Sequence, residues 1–160
     1  MKILYICTHN RCRSILSEAI TNQRAAGVLE ARSAGSQPAG EVHPLSLHYL
    51  KESGYDTAEL KSESWEDFEE FNPDVVITVC DSAAGEACPL WMGKTMKLHW
   101  GLEDPSKLEG TESEQAEAFQ KTIGLIEARV EQLKATAKRP RTDWQKELVA
   151  LVQSDYCESK

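Results

Sequence analysis

The chain has no long apolar run. Its purest hydrophobic stretches are a few residues, as in Val75-Val76-Ile77, whereas a bilayer-spanning helix needs about 20. Nor does it open on a secretory signal, since Met1-Lys2-Ile3-Leu4-Tyr5-Ile6 lacks a long apolar core and a small-residue cleavage site. An excess of basic residues is also missing. Eighteen Lys and Arg against 26 Asp and Glu give a net charge of −8, which argues against a general nucleic-acid binder, because phosphate affinity needs a basic face. Any anion site must be a local exception to this charge. The five cysteines, Cys7, Cys12, Cys80, Cys88 and Cys157, form no Cys-x-x-Cys pair, and the four histidines show no zinc spacing beside them. An odd thiol count without a secretion signal argues against a disulfide framework and for a reducing cytoplasm.

What is present is the material of one ordinary domain: 160 residues, 41% of them hydrophobic. Lys2 to Cys7 predicts a buried strand, β-branched at two places. After polar Thr8 to Arg13 a helix opens near Ser14, with Ile15, Leu16, Ala19 and Ile20 on one face and Gly27 as its stop. Val28 to Arg32 predicts a second strand leading into Ser33-Ala34-Gly35. Pro44 suits a first helical turn, and a second helix over Leu45 to Ser53 follows. Ser64 is placed to cap a short acidic helix carrying Trp65, Phe68 and Phe71. Val75 to Val79 is the clearest strand, and Thr95 to Trp100 a fourth. Thr111-x-x-Glu114 is a capping-box pattern opening a long helix with Phe119, Ile123, Ile126, Val130 and Leu133 on its apolar face. Lys138-Arg139-Pro140-Arg141 breaks that helix, and Trp144, Leu148, Leu151 and Val152 predict one more. Alternating strands and helices predict a single doubly wound α/β domain. Ligands in such sheets bind beyond the carboxyl ends of the strands, where the first strand delivers Cys7.

The chemistry concentrates in Cys7-Thr8-His9-Asn10-Arg11-Cys12-Arg13-Ser14. Backbone N–H groups of a loop between strand and helix can converge on a tetrahedral oxyanion, and the helix N-terminus adds positive potential. The same field stabilises a thiolate at Cys7. Arg13 supplies a fork of donors for two oxygens, and Ser14 can donate to the sulfur when it leaves. A buried cysteine on a tight turn with a solvated arginine is the bland alternative, and the order strand, loop, helix argues against it.

Cys7-x5-Arg13-Ser14 after the first strand resembles the low-molecular-weight protein tyrosine phosphatases and the arsenate reductases built on the same fold. Ser33-Ala34-Gly35 and Asp104-Pro105 add to the likeness, which covers residues 2 to about 130. His99-Trp100-Gly101 and the pair Cys80 and Cys88-Pro89 are similar to the reductase branch in particular. The resemblance implies a four-stranded parallel sheet flanked by helices, with a catalytic domain over 1–135. Residues 136–160 are expected to form a C-terminal extension, a short helix plus a polar tail that carries Cys157.

For the reductase branch the resemblance implies that Cys7 attacks arsenate, that Cys80 then attacks Cys7 and releases arsenite, and that Cys88 passes the disulfide outward. The external reductant is thioredoxin or a glutathione–glutaredoxin system, and no cofactor is bound. Phosphate and sulfate would compete for the loop. For the phosphatase branch the same Cys7, Arg13 and Asp104 suffice, with Asp104 as general acid. No tyrosine flanks Asp104-Pro105 to cradle an aryl ring, which favours the reductase. A non-catalytic redox or oxyanion-sensing module that uses the loop only to bind is a third possibility, against which the intact Cys7, Arg13 and Asp104 speak. By resemblance, Cys12 either pairs with Cys7 in a disulfide or fills the loop interior. His9 stands where the family often has glycine, and Arg11 makes the loop more cationic. Asn10 resembles the asparagine that braces this loop, and Glu18, Ser33 and Glu63 join it in aligning with a potassium site of some reductases.

Overall fold

The computed structural model describes residues 1–79, 95–107 and 109–150. Its frame is a sheet of β1 (Lys2–Ile6), β2 (Glu30–Ala34), β3 (Val75–Thr78) and β4 (Met96–His99). The strand order is β2-β1-β3-β4 and every pairing is parallel. Between the strands run α1 (Arg13–Arg24) and α2 (Pro44–Glu52), and α3 (Glu112–Ala137) follows the last one. The chain leaves β1 for β2 on one side and returns to β3 on the other, so the order reverses at the C-terminal end of β1. That crevice is the switch point where doubly wound sheets place their ligands, and Cys7 is the first residue beyond it.

The central strands owe their place to composition. Ile3, Leu4, Tyr5 and Ile6 are all buried, as are Val75, Val76 and Ile77, the pattern of parallel strands covered on both faces. Tyr5 keeps its hydroxyl inside by bonding the Thr21 hydroxyl of α1 at 2.8 Å. Tyr49 of α2 stacks on Phe119 of α3, with ring centroids 4.7 Å apart, which ties the second helix to the last. The caps match their sequence signals. Thr111 and Glu114 form a reciprocal capping box at α3, Ser64 accepts from the Glu66 N–H at a 3-10 turn over Trp65–Phe68, and residues 144–150 are helical with Leu148 in the core.

One boundary differs from expectation. The second strand begins at Glu30 rather than Val28, because the Val28 and Leu29 N–H groups both bond the Ala25 carbonyl (3.0 and 2.9 Å) and hold those residues in the turn after α1. Ser33 and Ala34 therefore lie inside β2. The outer edge of this strand is served by α1: the Asn22 side-chain amide both accepts from the Ala31 N–H and donates to the Ala31 carbonyl, at 2.8 and 2.9 Å. One turn earlier, the Glu18 carboxylate accepts from the Ser33 hydroxyl and N–H.

Gly35 shows how tightly β2 abuts the loop. A Cβ there would stand 2.5 Å from the Thr8 carbonyl oxygen and 2.8 Å from that of Cys7. Gly35→Ala is therefore expected to force a backbone shift costing about 1–3 kcal/mol, measurable as a lowered midpoint of thermal unfolding.

Candidate active site

The loop between β1 and α1 is held from outside by its carbonyls. Thr8 accepts from the Gln37 N–H at 2.9 Å, His9 from the Ala39 N–H at 2.9 Å and the Ser62 hydroxyl at 3.1 Å, and Arg11 from the His43 N–H at 2.9 Å and the Ser46 hydroxyl at 3.3 Å. Across a planar trans peptide, N–H and C=O point in opposite directions. With these three carbonyls tied outward, the N–H groups of His9, Asn10 and Cys12 turn toward the space the loop encloses. Asn10 makes the bend possible. Its φ is +47°, a left-handed conformation that asparagine tolerates better than most residues, and its buried side chain donates to the Ser14 hydroxyl (2.8 Å) while accepting from the Glu63 N–H (2.7 Å).

The helix that follows has no side-chain cap at Cys12, so the positive end of its first turn faces the loop. Arg13 is the first helical residue. One of its guanidinium NH2 groups donates to the Leu102 carbonyl at 2.9 Å and the other stands 3.6 Å from the Asp104 carboxylate. The Nε is buried and has no partner among the described residues. A buried donor left unmet costs about 1–3 kcal/mol, which an oxyanion accepting from Arg13 would relieve. Asp104 is aimed by its own turn: one carboxylate oxygen accepts from the Ser106 N–H (2.9 Å) and hydroxyl (2.6 Å), leaving the other toward Arg13.

Of the loop cysteines, Cys7 directly follows β1 and is 5% exposed. Cys12 is buried between the Ser46 and Ser106 hydroxyls, and burial pushes its thiol up to about 12, so it is a protonated thiol at neutral pH. His9 is exposed, with Nδ1 3.1 Å from the Gln37 carbonyl, and Arg11 is exposed beside it. The structure thus gathers Cys7 to Ser14, with Asp104, at one sheet end. Cys80 and Cys88 lie outside the described residues, as does Cys157.

Behind the loop, Asn10, Glu18, Ser33 and Glu63 also meet. Glu18 is pushed up to about 7, by burial first, against the lowering effect of the Ser33 hydroxyl and of Arg32, with the Glu63 carboxylate raising it further. A cleft of about 560 Å³ opens beside it, lined also by Asn22, Arg32, Asp56, Lys61 and Glu63.

Three contributions escaped the sequence reading. Ser46 and His43 anchor Arg11, and Ser106 aims Asp104. Asp-Pro-Ser carries the signature of a side chain bonding the N–H two residues on, and Pro44 at a helix start marks the preceding His43 as its cap; Ser46 carries no local signal.

Comparison with known proteins agrees with this geometry. A family model described as low molecular weight phosphotyrosine protein phosphatase matches residues 2–143. An arsenate reductase of Bacillus licheniformis is 32% identical over 136 residues, covering 85% of this chain and 96% of its own. A glutaredoxin arsenate reductase of Synechocystis is 30% identical over 132 residues, covering 82% and 95%. Among solved structures, an arsenate reductase in the phosphate binding state superposes with a TM-score of 0.71 at 30% identity, covering 86% of this chain and 98% of its own.

The Glu18 environment yields a pH prediction. With its native value raised to about 7 from 4.5, the folded state binds more protons than the unfolded one across that window. Stability should therefore fall as pH rises from about 4.5 to 7, by roughly 3 kcal/mol in potassium-free buffer. Glu18→Gln should flatten the slope in denaturant titrations at pH 5 and pH 8, and an unchanged slope would mean the carboxylate is not desolvated.

Proposed function

Since the chain belongs to the low-molecular-weight phosphotyrosine protein phosphatase family, we propose that it is the arsenate-reducing kind of member, using Cys7 as nucleophile and an external thiol system as electron source. The observation that carries the oxyanion half of this reading is the buried Nε of Arg13, which has no partner among the described residues, at the start of a helix without a side-chain cap. The reductase half is supported by the arsenate reductases that share about a third of its residues over most of its length.

In the proposed reaction the loop N–H groups and Arg13 hold three oxygens of arsenate while the Cys7 thiolate attacks arsenic. The fourth oxygen leaves on the opposite side, as required of an in-line displacement, and takes its proton from Asp104. The Ser14 hydroxyl accepts from Asn10, which leaves its own proton to donate to the Cys7 sulfur. Cys80 then attacks that sulfur: the S–As bond breaks, its electron pair stays on arsenic, arsenite leaves, and a Cys7–Cys80 disulfide remains. Cys88 attacks Cys80, freeing Cys7 as a thiolate and forming a Cys80–Cys88 disulfide. A thioredoxin- or glutaredoxin-like dithiol, or glutathione with glutaredoxin, returns the two electrons. Phosphate and sulfate are competitors, and aryl phosphates are slow alternative substrates.

Potassium belongs to the proposal as well. The Asn10 and Ser33 oxygens with the Glu18 and Glu63 carboxylates form a hard, oxygen-only donor set, and a buried carboxylate displaced toward neutrality gains from a monovalent cation. Asn10 reaches from that cluster to Ser14, so the ion would stiffen the loop from behind. Exchanging potassium for tetramethylammonium should slow turnover, and equal rates in the two salts would remove the ion from the mechanism.

The decisive experiment is arsenate-dependent turnover with each reducing system supplied separately. Cys7→Ser should abolish it, and Arg13→Lys should lower it at least about 100-fold, because a point charge cannot replace the fork. Cys88→Ser should release arsenite once and stall with a Cys7–Cys80 disulfide detectable by mass spectrometry. Wild-type turnover by Cys88→Ser would refute the relay and leave the phosphatase reading.

A further inference from the structure

The turn that carries Asp104 is closed twice. Its backbone closes where the Lys107 N–H meets the Asp104 carbonyl at 3.2 Å, over a 3-10 turn at Pro105–Lys107 that starts on buried Pro105. The Asp104 side chain closes it again, because Oδ1 accepts from the Ser106 N–H at 2.9 Å. Any residue except proline supplies that second bond. The Ser106 hydroxyl adds one that is particular to this chain, donating to the same Oδ1 at 2.6 Å. A carboxylate oxygen offers two lone pairs, and on Oδ1 both are taken. Oδ2 stands 3.6 Å from the Arg13 guanidinium, beyond hydrogen-bond length.

A general acid must carry its proton on the oxygen that faces the reaction. On Oδ1 a proton would evict one of the two donors: the N–H is fixed by the turn, and the hydroxyl makes way only by giving up its own acceptor. The Cys12 thiol lies against the same hydroxyl. Having one proton and giving it to Asp104, Ser106 meets that thiol as an acceptor, which joins the loop to the acid-bearing turn. The geometry points to Ser106 as a positioning residue, whose hydroxyl fills Oδ1 and so confines the acid proton of Asp104 to Oδ2, the oxygen turned toward Arg13 and any anion it holds. With the backbone N–H alone, the proton would divide between the two oxygens, and on Oδ1 it would point away from Arg13. This inference deepens the reading of Asp104 as general acid and rests on it, and it holds whichever thiols complete the reduction.

A misplaced acid proton costs rate rather than binding, and it costs most where the departing oxygen most needs protonating. Phenyl phosphate releases a poorer leaving group than p-nitrophenyl phosphate does, so the pair of esters reads the acid directly. For each, kcat/KM reports the steps up to loss of the phenol. Ser106→Ala keeps the N–H bond and removes only the hydroxyl. It should lower kcat/KM about tenfold for phenyl phosphate and less than about threefold for p-nitrophenyl phosphate, with competitive inhibition by inorganic phosphate changed less than about twofold. Ser106→Thr, which keeps a hydroxyl, should restore most of the loss. Unchanged rates in the Ala variant, equal losses on both esters, or a loss of phosphate affinity to match the rate would overturn the assignment. Asp104→Asn separates this failure from that of the underlying reading: if it too leaves phenyl phosphate hydrolysis unchanged, or if the unaltered chain hydrolyses neither ester, Asp104 is not the general acid and the assignment falls with it.

Discussion

The outward anchoring of three carbonyls, those of Thr8, His9 and Arg11, is the constraint on which the site depends. A loop of eight residues cannot turn its N–H groups inward by itself, because nothing local prevents its peptides from rotating toward water. The donors that hold them lie far along the chain, at Gln37, Ala39, His43, Ser46 and Ser62. The sheet brings those residues within reach by pairing β2 beside β1, and Gly35 allows the last step of approach by having no Cβ. The cradle is thus a tertiary object, although its sequence is contiguous.

This division explains what could be seen in the sequence. Cys7, Arg13 and Ser14 were visible because nucleophile, fork and helix start must sit at set intervals on one strand–loop–helix unit. The four strands, the capping box at Thr111 and the turn at Asp104-Pro105 were visible for the same reason: each is a local pattern with a local cause. The start of β2 was not, since Val28 and Leu29 have strand-like side chains but backbones committed to Ala25. Ser46 was invisible for a different reason. A serine inside a helix is ordinary, and only the approach of α2 to Arg11 gives this one something to hold.

Charge is arranged in layers that the net value conceals. A chain of −8 buries the Arg13 Nε without a partner among the described residues, and nearby it raises the Cys12 thiol and lowers His43. Burial is the first cause of both shifts and favours the uncharged form of each side chain. Behind the loop the sign reverses, and Glu18 and Glu63 share a cleft with Arg32 and Lys61. Asn10 separates the two regions and touches both, so a change of charge on one side reaches the other through a single side chain.

The side chains that α1 lends to β2 have a bearing on how this protein meets other proteins. An outer strand of a sheet offers a row of open donors and acceptors on which any extended segment can pair, in aggregates and in swapped dimers. Along β2 that row is occupied at Ala31 by Asn22 and at Ser33 by Glu18, one helical turn apart, and Gly35 is bridged in parallel to Ser64. The Ala31 and Gly35 positions and the Ser33 N–H are therefore met by groups of its own chain. With α1 laid against β2, these positions are no longer open to a competing strand.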